Sequence, residues 1–384
     1  LRLTLRLRRG WVPEMVRLGL AQQRTSRRRK TTTRVPQLDR VRLGEWGVTA
    51  RVNLHRLGMV VGDLTKHRER LESVFLARCV ITKLGYGLAE VAFRHTDPLS
   101  RPVPVGALPT PDRRLHVATR IAENGTPVEQ DIILPRLVIG GQGSGKSTEL
   151  KTFLHGLHRT GVPFRVRVFD PKGGMELPEL RAVAHRYESR PAQWGEFLGD
   201  ALGALASRQR SLAARGWNKL TRFTPAEPLD ILVIDELLTV VRQGSATVKA
   251  DRVGTLRADD AFDQLLSQGR AAGYTVFALT QLGQKEILGN ARGLFPHLTV
   301  LRMPPSEAEI VSRLVGPDCP AHLIPAGPRW AGVGYTRTPE GQVVRSRGAL
   351  LTSDQWRQVV AEIAEDKARR EASRRTRREN AGVS

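Results

Sequence analysis

The sequence is poor in cysteine. Cys79 and Cys319 are the only two, far apart and in no Cys-x-x-Cys pair. That pattern excludes a disulfide framework and a cysteine zinc site, and it suits a reducing compartment. The nine histidines do not cluster at ligand spacing, so no protein-only metal site is expected. Long apolar runs are missing too. No stretch of about 18 apolar residues is present to span a bilayer. Residues 1–34 lack the apolar core of a signal peptide. The sequence opens on Leu1, so upstream sequence, a membrane segment included, stays open.

Acid is scarce as well. Asp and Glu number 38 against 61 Lys and Arg, a formal charge of +23. Residues 1–34 contain Glu14 as their one acid and include Arg27-Arg28-Arg29-Lys30. Such an excess predicts a polyanionic partner, either nucleic acid or an anionic membrane surface. The basic ends read as solvated tails, as DNA contacts or as juxtamembrane polybasic segments.

What is present centres on residues 137–149, Leu-Val-Ile-Gly-Gly-Gln-Gly-Ser-Gly-Lys-Ser-Thr-Glu. A short apolar strand ends at Gly140, four residues intervene, and Gly145-Lys146-Ser147 open a helix. This is the spacing of a phosphate loop. Gly140, Gly141, Gly143 and Gly145 let the backbone turn its amides inward. With Gln142, Ser144 and Thr148 they form a cradle for phosphate oxygens. The positive end of the helix dipole adds to it. Lys146 is placed to reach the β- and γ-phosphates of ATP, and the Ser147 hydroxyl to ligate Mg2+. A second apolar strand, residues 231–234, ends in Asp235-Glu236, the Walker B pattern. Asp235 is expected to hold the magnesium ion and Glu236 to orient the attacking water. A third strand ends in Thr280-Gln281. Because ligands sit at the carboxyl ends of parallel strands, Gln281 is placed to sense the γ-phosphate or the water. Just upstream, Arg270 in Gly269-Arg270-Ala271-Ala272-Gly273 reads equally as an arginine finger toward a neighbouring subunit or as a surface arginine.

Around these motifs the pattern alternates strand and helix, the mark of a mainly parallel α/β sheet. The chain divides into a basic N-terminal segment (1–36), a small α+β appendage (37–96), a proline-rich linker (97–114), a P-loop ATPase domain (115–350) and a basic helical tail (351–384). In the appendage, residues 40–54 alternate as a strand, a helix follows from Asp63, and residues 79–83 and 88–94 read as strands. Asn124-Gly125 marks a hairpin turn ahead of the phosphate loop. Residues 191–208 read as an amphipathic core helix.

Gly-Gly-Gln-Gly-Ser-Gly-Lys-Ser, Asp170-Pro171-Lys172, Val-Ile-Asp-Glu, and Gly-Arg-Ala-Ala-Gly before the Thr-Gln strand together resemble the FtsK/SpoIIIE family over about residues 115–340. The form Asp-Pro-Lys-Gly-Gly-Met-Glu-Leu is similar to Tra-type members carried by actinobacterial plasmids. The resemblance implies a RecA-like motor, a homo-hexameric ring, and ATP-driven translocation of double-stranded DNA in conjugative transfer. It also implies a cytoplasmic place, peripheral at the inner face of the cell membrane, on the lipid itself or on a membrane partner protein. Pore loops that grip DNA would fall in two places, the loop-like residues 242–257, with Lys249 and Arg252, and the segment after Gln281, with Lys285 and Arg292. The sequence departs from the family in three respects. Too few residues follow the motor for a winged helix, no N-terminal membrane helices are visible, and Leu282-Gly283 replaces the usual Arg-Pro. A protein-secretion motor of the type VII kind and a nucleotide-switched DNA-binding regulator are the alternative readings.

Overall fold

The computed structural model describes residues 2–25, 31–111, 115–174, 177–242, 246–250, 253–281, 293–316, 319–339 and 341–381. The chain divides into two compact units, Leu1–Ser100 and Arg101–Ser384.

The first unit begins with helix α1 (Arg2–Arg17), followed by a hairpin of β1 (Gln22–Thr25) and β2 (Thr31–Arg34). A four-stranded antiparallel sheet, ordered β3-β4-β6-β5, is built from β3 (Gln37–Gly44), β4 (Gly47–Asn53), β5 (Arg78–Gly85) and β6 (Leu88–Arg94). Helices α2 (Val61–Thr65) and α3 (Arg68–Phe75) connect β4 to β5. Alternate residues Val48, Ala50 and Val52 join Ala89, Val91 and Phe93 in the core, as the two-residue period of strands requires. The strand expected over 40–54 is therefore two, β3 and β4, paired across a turn.

The N-terminal residues are not a solvated tail. Leu3, Leu7, Trp11 and Met15 recur every four residues, form one stripe of α1 and are buried in this core. The Trp11 ring stacks on Phe75 at 6.4 Å, and its indole N–H donates to the Pro36 carbonyl at 2.7 Å. The interleaved arginines hide this stripe from a composition-based reading.

The second unit contains one eleven-stranded sheet. Its strands are β7 (Val103–Pro104), β8 (His116–Ala122), β9 (Pro127–Asp131), β10 (Arg136–Ile139), β11 (Phe164–Phe169), β12 (Arg186–Glu188), β13 (Leu229–Ile234), β16 (Tyr274–Thr280), β17 (His297–Leu301), β18 (Val333–Arg337) and β19 (Val343–Leu350). A separate hairpin comprises β14 (Thr247–Ala250) and β15 (Gly254–Arg257). The helices are α4 (Lys146–Arg159), α5 (Leu180–Val183), α6 (Trp194–Ala214), α7 (Leu237–Arg242), α8 (Ala258–Gln268), α9 (Ala308–Val315) and α10 (Ser353–Ala381). The sheet order is β12-β11-β13-β16-β10-β17-β18-β19-β8-β9, with β7 beside β19. The first six strands run parallel, and β18, β19, β8 and β9 extend them antiparallel. This is the mainly parallel P-loop fold that the strand–helix alternation predicts. The hairpin at Asn124-Gly125 is the β8–β9 turn.

Two boundaries move. Part of the proline-rich stretch belongs to the second unit. Val103 and Pro104 pair with Ala349 and Leu350 at a sheet edge, where a missing N–H is tolerated, and Val105 and Leu108 are buried in the core of the second unit. Helix α10 inserts Trp356, Val359, Val360 and Ile363 into the same core, so its first half belongs to the second unit's core and is no tail.

Helix α6 buries Trp194, Phe197, Leu198, Ala201, Leu202 and Leu205, the stripe read as core. The segment after Walker B, expected as a loop, contains α7 and then the β14–β15 hairpin. The hairpin lies directly on α6, where Gly195 and Gly199 are one turn apart. A Cβ at either would stand 2.4 Å from the Thr247 carbonyl oxygen or 2.3 Å from that of Lys249.

Candidate active site

In the sheet order, β10 stands between β16 and β17, with β13 next to β16. The carboxyl ends of these parallel strands share one edge, and the motifs meet there. The phosphate loop leaves β10 pinned on both sides. The Gly140 N–H donates to the Thr280 carbonyl (3.1 Å) and that of Gly141 to the Arg302 carbonyl (2.9 Å). Gly143 (φ 67°) and Gly145 (φ 105°) are left-handed, as the turn demands. Gly145 also packs against backbone, since a Cβ there would lie 2.8 Å from the Gly332 nitrogen.

The loop borders a cleft of about 270 Å³, lined by residues 142–148, Lys172, Asp235, Gln281 and Ala331. The Lys146 ammonium donates to the Gly140 (2.8 Å) and Gly141 (3.2 Å) carbonyls, so it is folded onto its own loop. Asp235 is 1% exposed, and its N–H donates to the Phe169 carbonyl at 3.0 Å. One Glu236 carboxylate oxygen accepts from the Thr280 hydroxyl (2.9 Å) and from the Gln281 N–H (3.3 Å). The end of β16 thus fixes the acid at the end of β13.

Lys172 was not singled out as a site residue by sequence reasoning. Its ammonium stands 3.5 Å from Asp235 and 3.7 Å from Glu236. Its N–H donates to the buried Asp170 carboxylate (3.1 Å), which also accepts the Tyr187 hydroxyl (2.8 Å). Burial and that hydrogen bond push the Tyr187 phenol above its ordinary pKa, so it stays a donor. The motif Asp-Pro-Lys was the available signal.

A second unforeseen group lies behind the loop. Arg120 and Glu149 are buried and paired at 2.6 Å. Arg120 also donates to the Ser346 hydroxyl (2.8 Å) and the Gly332 carbonyl (2.7 Å), and Thr119 donates to Glu149 (2.7 Å). The Gly332 N–H in turn donates to the Ser144 carbonyl at 2.8 Å. The first turn of α4 is thereby locked to β8 and β19. One charged residue inside the otherwise uncharged stretch 117–122 was the only sequence signal.

The Ser147 hydroxyl and the Asp235 carboxylate line the same cleft and are the oxygen donors that magnesium prefers. Among the described residues no group of three or more His, Cys, Asp or Glu could hold a metal by itself. The donor set fits an ion whose shell is completed by phosphate oxygens and water.

Arg270 is exposed and lies outside this cleft. It precedes β16, whereas the cleft is at the other end of that strand. Its turn is held firmly. The Leu220 N–H donates to the Ala271 carbonyl (2.8 Å), the Asp230 N–H to Gly273 (2.9 Å), and Arg208 to Ala272 (3.0 Å). Arg208 (2.5 Å), Arg167 (2.5 Å) and Arg165 (3.1 Å) all converge on buried Asp230. Lys249 is exposed on β14. Arg252, Lys285 and Arg292 lie outside the described residues.

The sequence model of the FtsK/SpoIIIE family matches residues 110–313. No curated protein matches the sequence. Among solved structures, the pCW3 conjugation coupling protein TcpA, in its monomer form with ATPγS, superposes with a TM-score of 0.58 at 16% identity, over 87% of this chain and 94% of that one. The cytoplasmic domain of the Thermomonospora curvata type VII secretion ATPase EccC gives 0.52 at 21% identity, over 70% of this chain and 33% of that one. EssC (ATPases 2 and 3) from Geobacillus thermodenitrificans gives 0.53 at 12% identity, over 69% and 51%. These likenesses establish the fold.

Proposed function

The chain belongs to the FtsK/SpoIIIE family of P-loop ATPases, and from that premise we propose that it moves double-stranded DNA in the conjugative transfer of a plasmid or integrative element. The observation that carries the reading is the Glu236 carboxylate, fixed by Thr280 and by Gln281, which lines the phosphate-loop cleft as does the adjacent Asp235. A regulator without turnover has no need of an acid so held. The formal charge of +23 favours DNA as cargo. Structural likeness to a conjugation coupling protein agrees with it.

In this account the ATP phosphates take over the bonds that Lys146 now makes to Gly140 and Gly141. Ser147 and Asp235 would hold magnesium, which would supply positive charge to the phosphate oxygens. Glu236 orients and polarises the attacking water, and Gln281 reads whether the γ-phosphate is present. Lys172 balances the two carboxylates before nucleotide arrives. Arg270 acts on the site of the next subunit in a homo-hexamer, presented on a turn that Arg208 and Asp230 keep rigid. The β14–β15 hairpin offers Lys249 to the DNA backbone, and Arg252, with Lys285 and Arg292 in the segment after Gln281, is assigned the same role. The motor works in the cytoplasm, peripheral at the inner face of the cell membrane. Its affinity for DNA falls steeply with salt, as backbone contacts require.

Likeness to EccC and EssC supports a second reading, a protein-secretion motor. ATP turnover with and without duplex DNA, across a salt series, separates them. Stimulation by DNA that fades with salt supports translocation, whereas turnover indifferent to DNA and raised by a secreted peptide supports export.

A further inference from the structure

One surface of the first unit takes no part in ATP chemistry. Helix α1 carries two apolar stripes. Leu3, Leu7, Trp11 and Met15 are buried in the core. Leu5, Val12 and Val16 form the second, since separations of seven and four residues are close to whole helical turns. These three side chains are 46%, 51% and 48% exposed. Arg2, Arg6, Arg8 and Arg9 are exposed on the same helix. Its one acid, Glu14, is turned inward, 2% exposed and 3.1 Å from Arg70. The outer face of α1 therefore presents aliphatic side chains among arginines and no carboxylate.

A groove beside Val12 continues this surface. It has a volume of about 1170 Å³, and Arg8, Arg34, Arg40 and Arg56 line it with Asp39 as the single acid. The Asp39 carboxylate already accepts the Arg40 N–H at 2.8 Å. Residues 1–100 as a whole hold 21 Lys and Arg against 8 Asp and Glu.

We infer that this face docks on an anionic lipid bilayer. Leu5, Val12 and Val16 enter the boundary between headgroups and acyl chains, and the arginines of α1 and of the groove meet lipid phosphates. A DNA backbone would satisfy the arginines but leave the aliphatic stripe facing water. A protein partner would need carboxylates matched to each arginine, whereas a bilayer supplies phosphate and hydrocarbon along one plane. The inference deepens the peripheral placement proposed above by naming the surface and what it meets.

The test uses the full chain and vesicle flotation. One set of vesicles is phosphatidylcholine alone and the other is a three-to-one mixture with phosphatidylglycerol. The parent chain floats with the mixed vesicles and not with the neutral ones. The triple variant Leu5→Ser/Val12→Ser/Val16→Ser loses about tenfold or more in vesicle affinity and keeps its affinity for a short DNA duplex. Arg6→Glu/Arg9→Glu loses a similar factor and part of the salt dependence. All five positions are exposed, and an unchanged thermal midpoint confirms folding. If the parent fails to float, the lipid placement itself is wrong. Should the parent float and the serine variant float equally well, the face of α1 is wrong and the placement survives. Loss of duplex affinity in the serine variant, with flotation intact, would assign the face to DNA and overturn the inference.

Discussion

The Thr280 hydroxyl donates to the Glu236 carboxylate at 2.9 Å, joining the last residue of β16 to the second residue beyond β13. The bond leaves one Glu236 oxygen committed and the carboxylate oriented. Thr280→Val keeps the shape and removes the donor. The expected result is a loss of about tenfold in kcat for ATP with KM little changed. Glu236→Gln, which removes the base, is expected to lose about a hundredfold or more. Steady-state ATPase kinetics on the two variants check the assignment, and equal turnover by Glu236→Gln and the parent would defeat it.

Arg120 and Glu149 hold the back of the phosphate loop. Arg120→Ala leaves the Glu149 carboxylate buried without its cation, which costs about 3–5 kcal/mol. Thermal unfolding is expected to fall by roughly 10 °C. Because the pair bonds to the Gly332 carbonyl and Gly332 to the Ser144 carbonyl, nucleotide protection against unfolding should weaken as well. An unaltered midpoint contradicts the proposed lock.

His297 gives the second unit an acid-sensitive point. It is 3% exposed, and neither ring nitrogen has a hydrogen-bond partner among the described residues. Burial first, then Arg136 and His116, bring its pKa down to about 3. The unfolded chain therefore binds the proton more readily than the folded one. The stability this residue contributes is complete above its ordinary pKa near 6.5. It is lost as pH falls from there toward 3, by at most about 1.4 kcal/mol per pH unit. His297→Phe should flatten that slope relative to the parent in denaturant titrations at pH 7 and pH 5. Parallel slopes would show that His297 is not the source.

The Gly195–Gly199 seat holds the β14–β15 hairpin on α6. Gly199→Ala places a Cβ where the Lys249 carbonyl oxygen stands 2.3 Å away, so the hairpin must lift. Duplex affinity is expected to drop by about threefold to tenfold and its salt dependence to weaken, with ATP affinity kept. Fluorescence anisotropy with labelled duplex and with labelled nucleotide measures both.

The candidate site was legible in the sequence where it is local. Lys146, Ser147, Asp235 and Glu236 each follow a strand within a few residues, and strand–loop–helix spacing alone places them. Gln281 was placed by the rule that parallel strands end at the ligand, and it does line the cleft. What stayed hidden depends on strand order. Lys172 meets Asp235 because β11 pairs with β13, and Arg120 meets Ser346 because β19 returns beside β8 after more than two hundred residues. Neither pairing is written in a local pattern. The stripe Leu3, Leu7, Trp11, Met15 was local, but interleaved arginines dominated the composition and made a core helix look like a tail. The hairpin after Walker B was missed because its core residues are few, with Val248 and Ala250 its buried pair.

The central claim is that ATP hydrolysis at this cleft drives the chain along duplex DNA. Strand displacement from a DNA triplex measures it most directly, since a motor moving on the duplex strips off the third strand. With ATP and magnesium the parent chain should release the third strand. Lys146→Ala should release none, and Glu236→Gln should bind the duplex without releasing it. ATP turnover stimulated by duplex DNA with no displacement above the Glu236→Gln background would contradict the account.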